Sequence, residues 1–93
     1  MSVPQLEEAI EIVVENEKQY ALILYNDEVN TFDHVIKCLI KVCAHQVTQA
    51  EQCANIVHFK GKCQVNNGSL LKMQDQCSAL LTEKLSAKIE DNK

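Results

Sequence analysis

The chain has 93 residues, a length that fits one small domain and leaves no room for two. The net charge is −4 and no basic stripe appears, which makes nucleic acid a poor candidate partner. No apolar run approaches the roughly 20 residues of a membrane span. The first residues lack the basic start and apolar middle of a signal peptide, so we expect a cytoplasmic protein with no membrane partner.

The N-terminal segment, residues 1–18, is acidic and has no clean periodicity. Its apolar positions match a helical stripe in part and an alternating edge strand in part. Because the segment precedes the strongest core pattern, we expect a flexible N-terminal arm at 1–18 and a folded core at 19–93.

The core pattern begins with a strand over Tyr20–Tyr25, which is rich in β-favouring residues. Asn30 or Thr31 then caps a first helix, whose apolar side continues from Phe32 to about Ala44. A strand that ends in oxygen-rich side chains and restarts as a helix predicts a small acidic corner suited to a cation, with an apolar wall beside it. The oxygen-rich residues between the two elements are Asn26, Asp27 and Glu28.

A second helix is predicted to begin at Thr48, which forms a capping box with Glu51 three residues later. Gly61 is a good stop signal for this helix. A short strand over Lys62–Val65 follows, and Asn66 to Gly68 has the composition of a turn.

Ser69 caps a third helix that runs from Leu70 to about Lys84, and the alternation over Ser86–Glu90 predicts a third strand. The element order is therefore β-α-α-β-α-β. The compact arrangement of these elements is a single α/β domain of the α+β type, in which helices pack on one face of a three-stranded antiparallel sheet.

No arrangement of residues predicts catalysis. The chain has only two glycines and no phosphate-binding loop, no convincing acid–base pair of carboxylates, and no local signature of a Cys–His nucleophile. We therefore predict a protein that is not an enzyme and needs no cofactor.

The cysteines are odd in number and include no CxxC pair, which favours free thiols that serve as small buried hydrophobes. One alternative is a zinc site built from Cys53, His58 and Cys63, although structural zinc sites usually show tighter paired spacing. The five cysteines are Cys38, Cys43, Cys53, Cys63 and Cys77.

Two stretches together resemble the ClpS family, namely LYNDEVNTFDHVIKCL and, further along, AEQCANIVHFKGKC. Members of this family are small adaptors that recognise N-terminal degradation signals and deliver substrates to a Clp protease. The resemblance covers about Tyr20 to Glu90. Its matching positions are Asn26, Asp27 and Glu28 in the first stretch, and Val57, His58, Phe59, Gly61 and Lys62 in the second.

The resemblance implies a site for the α-amino group of a substrate. An ammonium group offers several N–H donors and a positive charge, which carbonyl, carboxylate and neutral imidazole acceptors satisfy. It also implies an apolar pocket for the first side chain of the substrate. The amine-binding residues would be Asn26, Asp27, Glu28 and His58, and the pocket residues Asn30, Phe32, Val35, Ala54 and Val57.

Two positions depart from the family pattern. Phe32 stands where a methionine usually gates the pocket, and Ala54 stands where a larger apolar residue often lies. Phe32 gates the pocket in one interpretation and is a core residue of the first helical turn in the other.

The resemblance thus implies an adaptor that binds proteins with bulky hydrophobic N-terminal residues. It would deliver them to a Clp-family AAA+ unfoldase through the N-terminal domain of the unfoldase. Two alternatives remain: an interaction domain with the same fold but no amine recognition, and a small Cys/His metal-binding protein.

Overall fold

The computed structural model describes residues 18–91, and the predicted N-terminal arm, except for Lys18, lies outside them. The described chain forms the predicted α+β domain with the predicted element order. Within it, no helix is long and apolar enough to cross a membrane. The elements are β1 (Tyr20–Tyr25), α1 (Phe32–Cys43), α2 (Val47–Lys60), β2 (Lys62–Gly68), α3 (Leu70–Thr82) and β3 (Ser86–Asp91).

The sheet is antiparallel and has the order β2-β1-β3, so that β1 is paired along both edges. Leu22 and Leu24 lie on the same face of β1 and are almost fully buried. They pack in one core cluster with residues from all three helices, which confirms the predicted layer of helices on one face of the sheet. The largest fully buried side chains of this core are Leu22, Leu24, Leu39, Met73 and Leu80.

Helix α1 has a well-defined cap at each end. The Thr31 hydroxyl oxygen accepts a hydrogen bond from the backbone N–H of His34 at 3.1 Å, so Thr31, rather than Asn30, is the N-cap. The helix ends at Ala44, which adopts a left-handed conformation with φ of 57° and donates its backbone N–H to the Leu39 carbonyl.

The predicted start of α2 is wrong. The helix begins at Val47 and has Gln46 as its N-cap, whose side chain makes no capping hydrogen bond, so Thr48 lies inside the first turn. The left-handed Ala44 turns the chain sharply out of α1, and His45, which follows, is buried. The tertiary position of this junction, rather than the chemistry of a capping box, therefore sets the beginning of the helix.

The predicted turn at Asn66 to Gly68 is also wrong, because these residues extend β2. Leu22 pairs with Asn66 and Ile23 pairs with Gln64, so Val65 is the extra residue of a β-bulge. An unpaired edge of β1 would leave backbone groups unsatisfied, and pairing with the last residues of β2 satisfies them despite their turn-like composition.

The buried side chain of His45 stabilises the bulge through a hydrogen bond to Val65. Its side chain is 5% exposed, and Nε2 lies 2.6 Å from the Val65 carbonyl oxygen. Since a carbonyl oxygen only accepts, Nε2 carries the hydrogen and donates it. Among residues 18–91, no group forms a hydrogen bond with the buried Nδ1 atom of the same ring.

We predict that His45→Phe lowers the free energy of unfolding by about 1–3 kcal/mol, because the buried Val65 carbonyl loses its donor while the ring volume is retained. Urea denaturation followed by circular dichroism measures this change. His58→Phe is the matched control, since His58 is exposed and its replacement should change stability by less than about 0.5 kcal/mol. Equal stability of the two variants would contradict the structural role of His45.

Candidate functional site

A pocket of about 400 Å³ opens where β1 ends, between the first turn of α1 and the C-terminal half of α2. Twelve residues line it. The structure brings together in this one place every residue that the sequence predicted for amine binding and for the apolar pocket. These residues are Asn26, Asp27, Glu28, Asn30, Phe32, Val35, Ala54, Val57 and His58.

Three lining residues were not predicted: Leu24, Tyr25 and Leu85. Leu24 and Tyr25 end β1 directly before Asn26, so their position next to the polar corner was the available signal. Leu85 is 4% exposed and precedes β3. Its sequence surroundings carry no signal, because only the return of β3 alongside β1 brings it to the pocket.

The loop at the pocket rim is folded around the carboxylate of Asp27. Its Oδ1 atom accepts the backbone N–H groups of Val29 and Asn30, both at 2.9 Å, and Oδ2 accepts the side-chain amide of Asn30 at 2.8 Å. Desolvation is the largest single influence on the pKa of Asp27 and raises it. The hydrogen bonds from Asn30 and Val29, with a smaller contribution from the charge of His34, outweigh it and lower the pKa.

Asn30 connects this loop to the opposite side of the pocket. Besides its bond to Asp27, the Nδ2 group donates to the Lys84 carbonyl at 2.8 Å. Lys84 has a left-handed backbone with φ of 72°, and it lies between α3 and β3. Both hydrogens of the Asn30 amide are thus used within the protein, which gives this residue a structural role in addition to its place in the lining.

A backbone contact holds the end of β1 against the end of α2. The Asn26 N–H donates to the carbonyl of Gly61 at 2.9 Å. Gly61 caps α2 with φ of 95°, a left-handed conformation that glycine adopts without steric cost. This contact positions the side chains of Asn26 and His58 on the same pocket.

His58 is exposed, and its contacts are aromatic. Its ring meets Phe32 edge-on at 6.2 Å between centroids and Phe59 at 4.9 Å. Within residues 18–91, no hydrogen bond engages the His58 ring. A neutral ring in this position is available to accept one hydrogen bond and donate another.

The floor of the pocket is apolar, and one large side chain lies at its mouth. Ala54 and Val57 are 3% and 5% exposed, whereas Phe32 is 41% exposed and is not part of the core cluster. The interpretation of Phe32 as a core residue is therefore wrong. The small Ala54 side chain leaves space on α2 beneath this mouth.

The charge of the pocket is negative. Its lining contains the carboxylates of Asp27 and Glu28 and, among the described residues, neither lysine nor arginine. An acidic rim above an apolar floor suits a ligand that carries a cation close to an apolar group.

The alternative zinc site of Cys53, His58 and Cys63 is not formed, because its three side chains do not come together. Cys53 is buried in the core, whereas His58 lines the pocket. In the part of the chain that the structure describes, the group of three metal-binding side chains that does come together contains none of Cys53, His58 and Cys63.

The thiols have the character predicted from the sequence. All five cysteines are free, and all except the half-buried Cys63 are buried. Burial raises the pKa of Cys43 to about 11, and burial together with the nearby Cys53 raises that of Cys63 to about 12. The thiols of Cys43 and Cys63 are therefore protonated and weakly nucleophilic at neutral pH.

Comparisons with known proteins identify relatives of this domain. A family model described as "ATP-dependent Clp protease adaptor protein ClpS" matches residues 15–88. Among solved structures, that of Agrobacterium tumefaciens ClpS2 bound to L-phenylalaninamide matches with a TM-score of 0.77 at 18% sequence identity. The match covers 83% of this chain and all of that one, and at this identity it establishes a shared fold. A search of curated proteins found no match to the sequence.

We predict that the stability supplied by Asp27 depends on pH. Its pKa is lower in the folded chain than the ordinary value of 3.8, so its contribution is complete above that value and is lost as the pH falls through the folded pKa. Asp27→Asn loses the bond from the Asn30 amide. Urea denaturation at several pH values should show a difference from wild type that is constant near neutrality and shrinks below pH 3.8. Asp75→Asn is the control at an exposed position, and its free energy of unfolding should not differ from that of wild type at any of these pH values. A difference for Asp27→Asn that does not change with pH would contradict the prediction.

Proposed function

The chain belongs to the ClpS family of ATP-dependent Clp protease adaptor proteins, and from this premise we propose that it binds proteins through a free, bulky hydrophobic N-terminal residue. It then delivers them to a Clp-family AAA+ unfoldase by contacting the N-terminal domain of the unfoldase. The observation that carries this proposal is the combination of an acidic rim and an apolar floor in one pocket. Leu, Phe, Tyr and Trp are the N-terminal residues that we expect it to accept.

The rim supplies acceptors for an α-ammonium group. Oδ2 of Asp27 accepts one hydrogen bond inside the loop and keeps a second acceptor position, whereas Oδ1 is saturated by two backbone donors. The exposed Glu28 adds negative charge. The Asn26 amide oxygen is a further acceptor, and so is the His58 ring in its neutral form. Each charge-assisted hydrogen bond contributes roughly 1.5–3 kcal/mol net.

The floor supplies a place for the first side chain of the substrate. Val35 and Val57 offer aliphatic surface, and the small Ala54 compensates for the bulk of Phe32 at the mouth. Full burial of a Leu or Phe side chain stabilises a complex by roughly 1.5–3 kcal/mol. With the amine contacts and after the costs of association, binding near micromolar Kd is expected, or about −8 kcal/mol.

The solved relative supports the same ligand chemistry. Agrobacterium ClpS2 binds L-phenylalaninamide, which has the free amine and the aromatic side chain of an N-terminal phenylalanine. The alternative, an interaction domain with this fold but no amine recognition, differs in one measurable respect, since it would not distinguish a free from a blocked N-terminus.

We predict that a peptide with a free N-terminal Phe binds at least about tenfold more tightly than its N-acetylated form. Acetylation removes the positive charge and two donors, and a buried acceptor left without a partner costs about 1–3 kcal/mol. Fluorescence anisotropy with the dye at the peptide C-terminus measures both values of Kd. Equal affinities would exclude amine recognition and favour the alternative function.

A pair of glutamate variants tests the same interaction from the protein side. Glu28→Gln should weaken binding of the free peptide and leave that of the acetylated peptide unchanged. Glu51→Gln removes the same charge from an exposed position on α2 outside the pocket, and it should affect neither peptide.

We predict that Phe32→Ala widens the mouth of the pocket and relaxes its selectivity toward peptides that begin with Ile or Val. The measurement is a series of Kd values for peptides that differ only in the first residue. Phe59→Ala is the matched control, because Phe59 is 78% exposed and touches the His58 ring but does not line the pocket. If Phe32→Ala and wild type show the same order of preference, Phe32 does not control selectivity.

A further inference from the structure

A cluster of potential metal ligands lies outside the peptide pocket, at the junction of α1 with the end of α3. It consists of His34, Cys38 and Glu83, which each offer one ligand atom within 4.8 Å of the others. His34 and Cys38 are four residues apart on α1 and so lie on one face of the helix. Glu83 follows α3 as its C-cap. None of the three residues lines the pocket described above.

We propose that His34, Cys38 and Glu83 form a site for a zinc ion, with water as the fourth ligand. Imidazole nitrogen, thiolate sulfur and carboxylate oxygen are the ligand types that zinc takes in proteins. The mixture of one soft, one intermediate and one hard ligand favours zinc over magnesium or calcium, which take oxygen ligands.

The spacing of the ligand atoms is close to that around a tetrahedral zinc ion. The Cys38 sulfur lies 3.6 Å from Nε2 and 4.0 Å from Nδ1 of His34. Zinc–ligand bonds of about 2.0–2.3 Å at tetrahedral angles place a nitrogen and a sulfur roughly 3.5 Å apart. The present distance of 4.0 Å between Nδ1 and the sulfur is therefore about 0.5 Å longer than this spacing.

One nitrogen of the His34 ring is held by the backbone. Its Nε2 lies 2.9 Å from the backbone carbonyl of Glu83, which can only accept, so Nε2 carries the hydrogen. The lone pair of Nδ1 is then the one available to a metal. A ligating histidine whose second nitrogen donates to a carbonyl is the usual arrangement around protein-bound zinc.

A lysine forms an ion pair with one of the proposed ligands. Nζ of Lys41 lies 3.4 Å from Oε2 of Glu83, and the Lys41 side chain is 74% exposed. An exposed ion pair contributes little stability, so Lys41 can move aside at little cost. Lys41 therefore competes with the metal for Glu83.

Zinc at this site would connect α1 to the junction between α3 and β3. Asn30 already contacts the same junction through the Lys84 carbonyl. The proposed metal would thus stabilise the structure behind the pocket rim without touching a bound peptide.

The test is a zinc titration of the full chain, first stripped of metal with a chelator, against a chromophoric competitor. We expect one zinc per chain, and a charge-transfer band from thiolate when cobalt(II) replaces zinc. Cys38→Ser should weaken zinc binding by more than the roughly 10–100-fold that the loss of an outer-shell partner costs, and should abolish the cobalt band. Cys77→Ser, at another buried helical cysteine, should retain both.

Two further variants keep the proposal falsifiable if Cys38→Ser does not fold, as judged by circular dichroism. Glu83→Gln should weaken zinc binding, and Lys41→Met should strengthen it severalfold by releasing the carboxylate. The proposal is overturned if the wild type binds no stoichiometric zinc, or if Cys53→Ser removes binding while Cys38→Ser does not. None of these measurements uses a peptide, so their outcome is independent of the proposed function.

Discussion

The structure depends on the pairing of β1 along both of its edges. This strand is central, and its apolar side chains bury one face of the sheet under the helices. A strand in this position pairs its backbone groups on both sides, so the residues of β2 and β3 opposite it are held in register on either side of the bulge at Val65. The need to pair the β1 edge outweighs the turn-like composition of Asn66, Asn67 and Gly68, which therefore belong to β2. His45 stabilises the bulge at Val65 that this pairing introduces.

The pocket forms at the point where this pairing ends. Beyond Tyr25, the chain leaves the sheet, and its polar groups must find new partners. The N–H of Asn26 donates to Gly61, the carboxylate of Asp27 organises its own loop, and the amide of Asn30 reaches Lys84. These short contacts tie the rim to α2 on one side and to the α3–β3 junction on the other. The rim is therefore preformed, which would reduce the ordering cost of the peptide binding that we propose.

The two positions that depart from the family pattern form a complementary pair. Phe32 adds bulk at the mouth, and Ala54 removes bulk from the floor, where α2 lines the pocket. Within a pocket of fixed volume, such an exchange alters shape more than capacity. The edge-on contact between Phe32 and the His58 ring also couples the mouth to the proposed amine site, because the position of one ring limits that of the other.

The sequence by itself determined the element order, the three-stranded sheet with helices on one face and the cap at Ser69, and it narrowed the first helix cap to Asn30 or Thr31. Its resemblance to a known family pointed to nine of the twelve residues that line the pocket. Strands and helices with strong apolar patterns carry their own periodicity, and the acidic corner between β1 and α1 is continuous in the chain. Only the tertiary structure decided the start of α2, the length of β2 and the contribution of Leu85 to the pocket. It likewise decided that Glu83 meets His34 and Cys38. Each of these features depends on groups that are far apart in sequence and come together only when the sheet and helices pack. A local sequence pattern therefore cannot predict them.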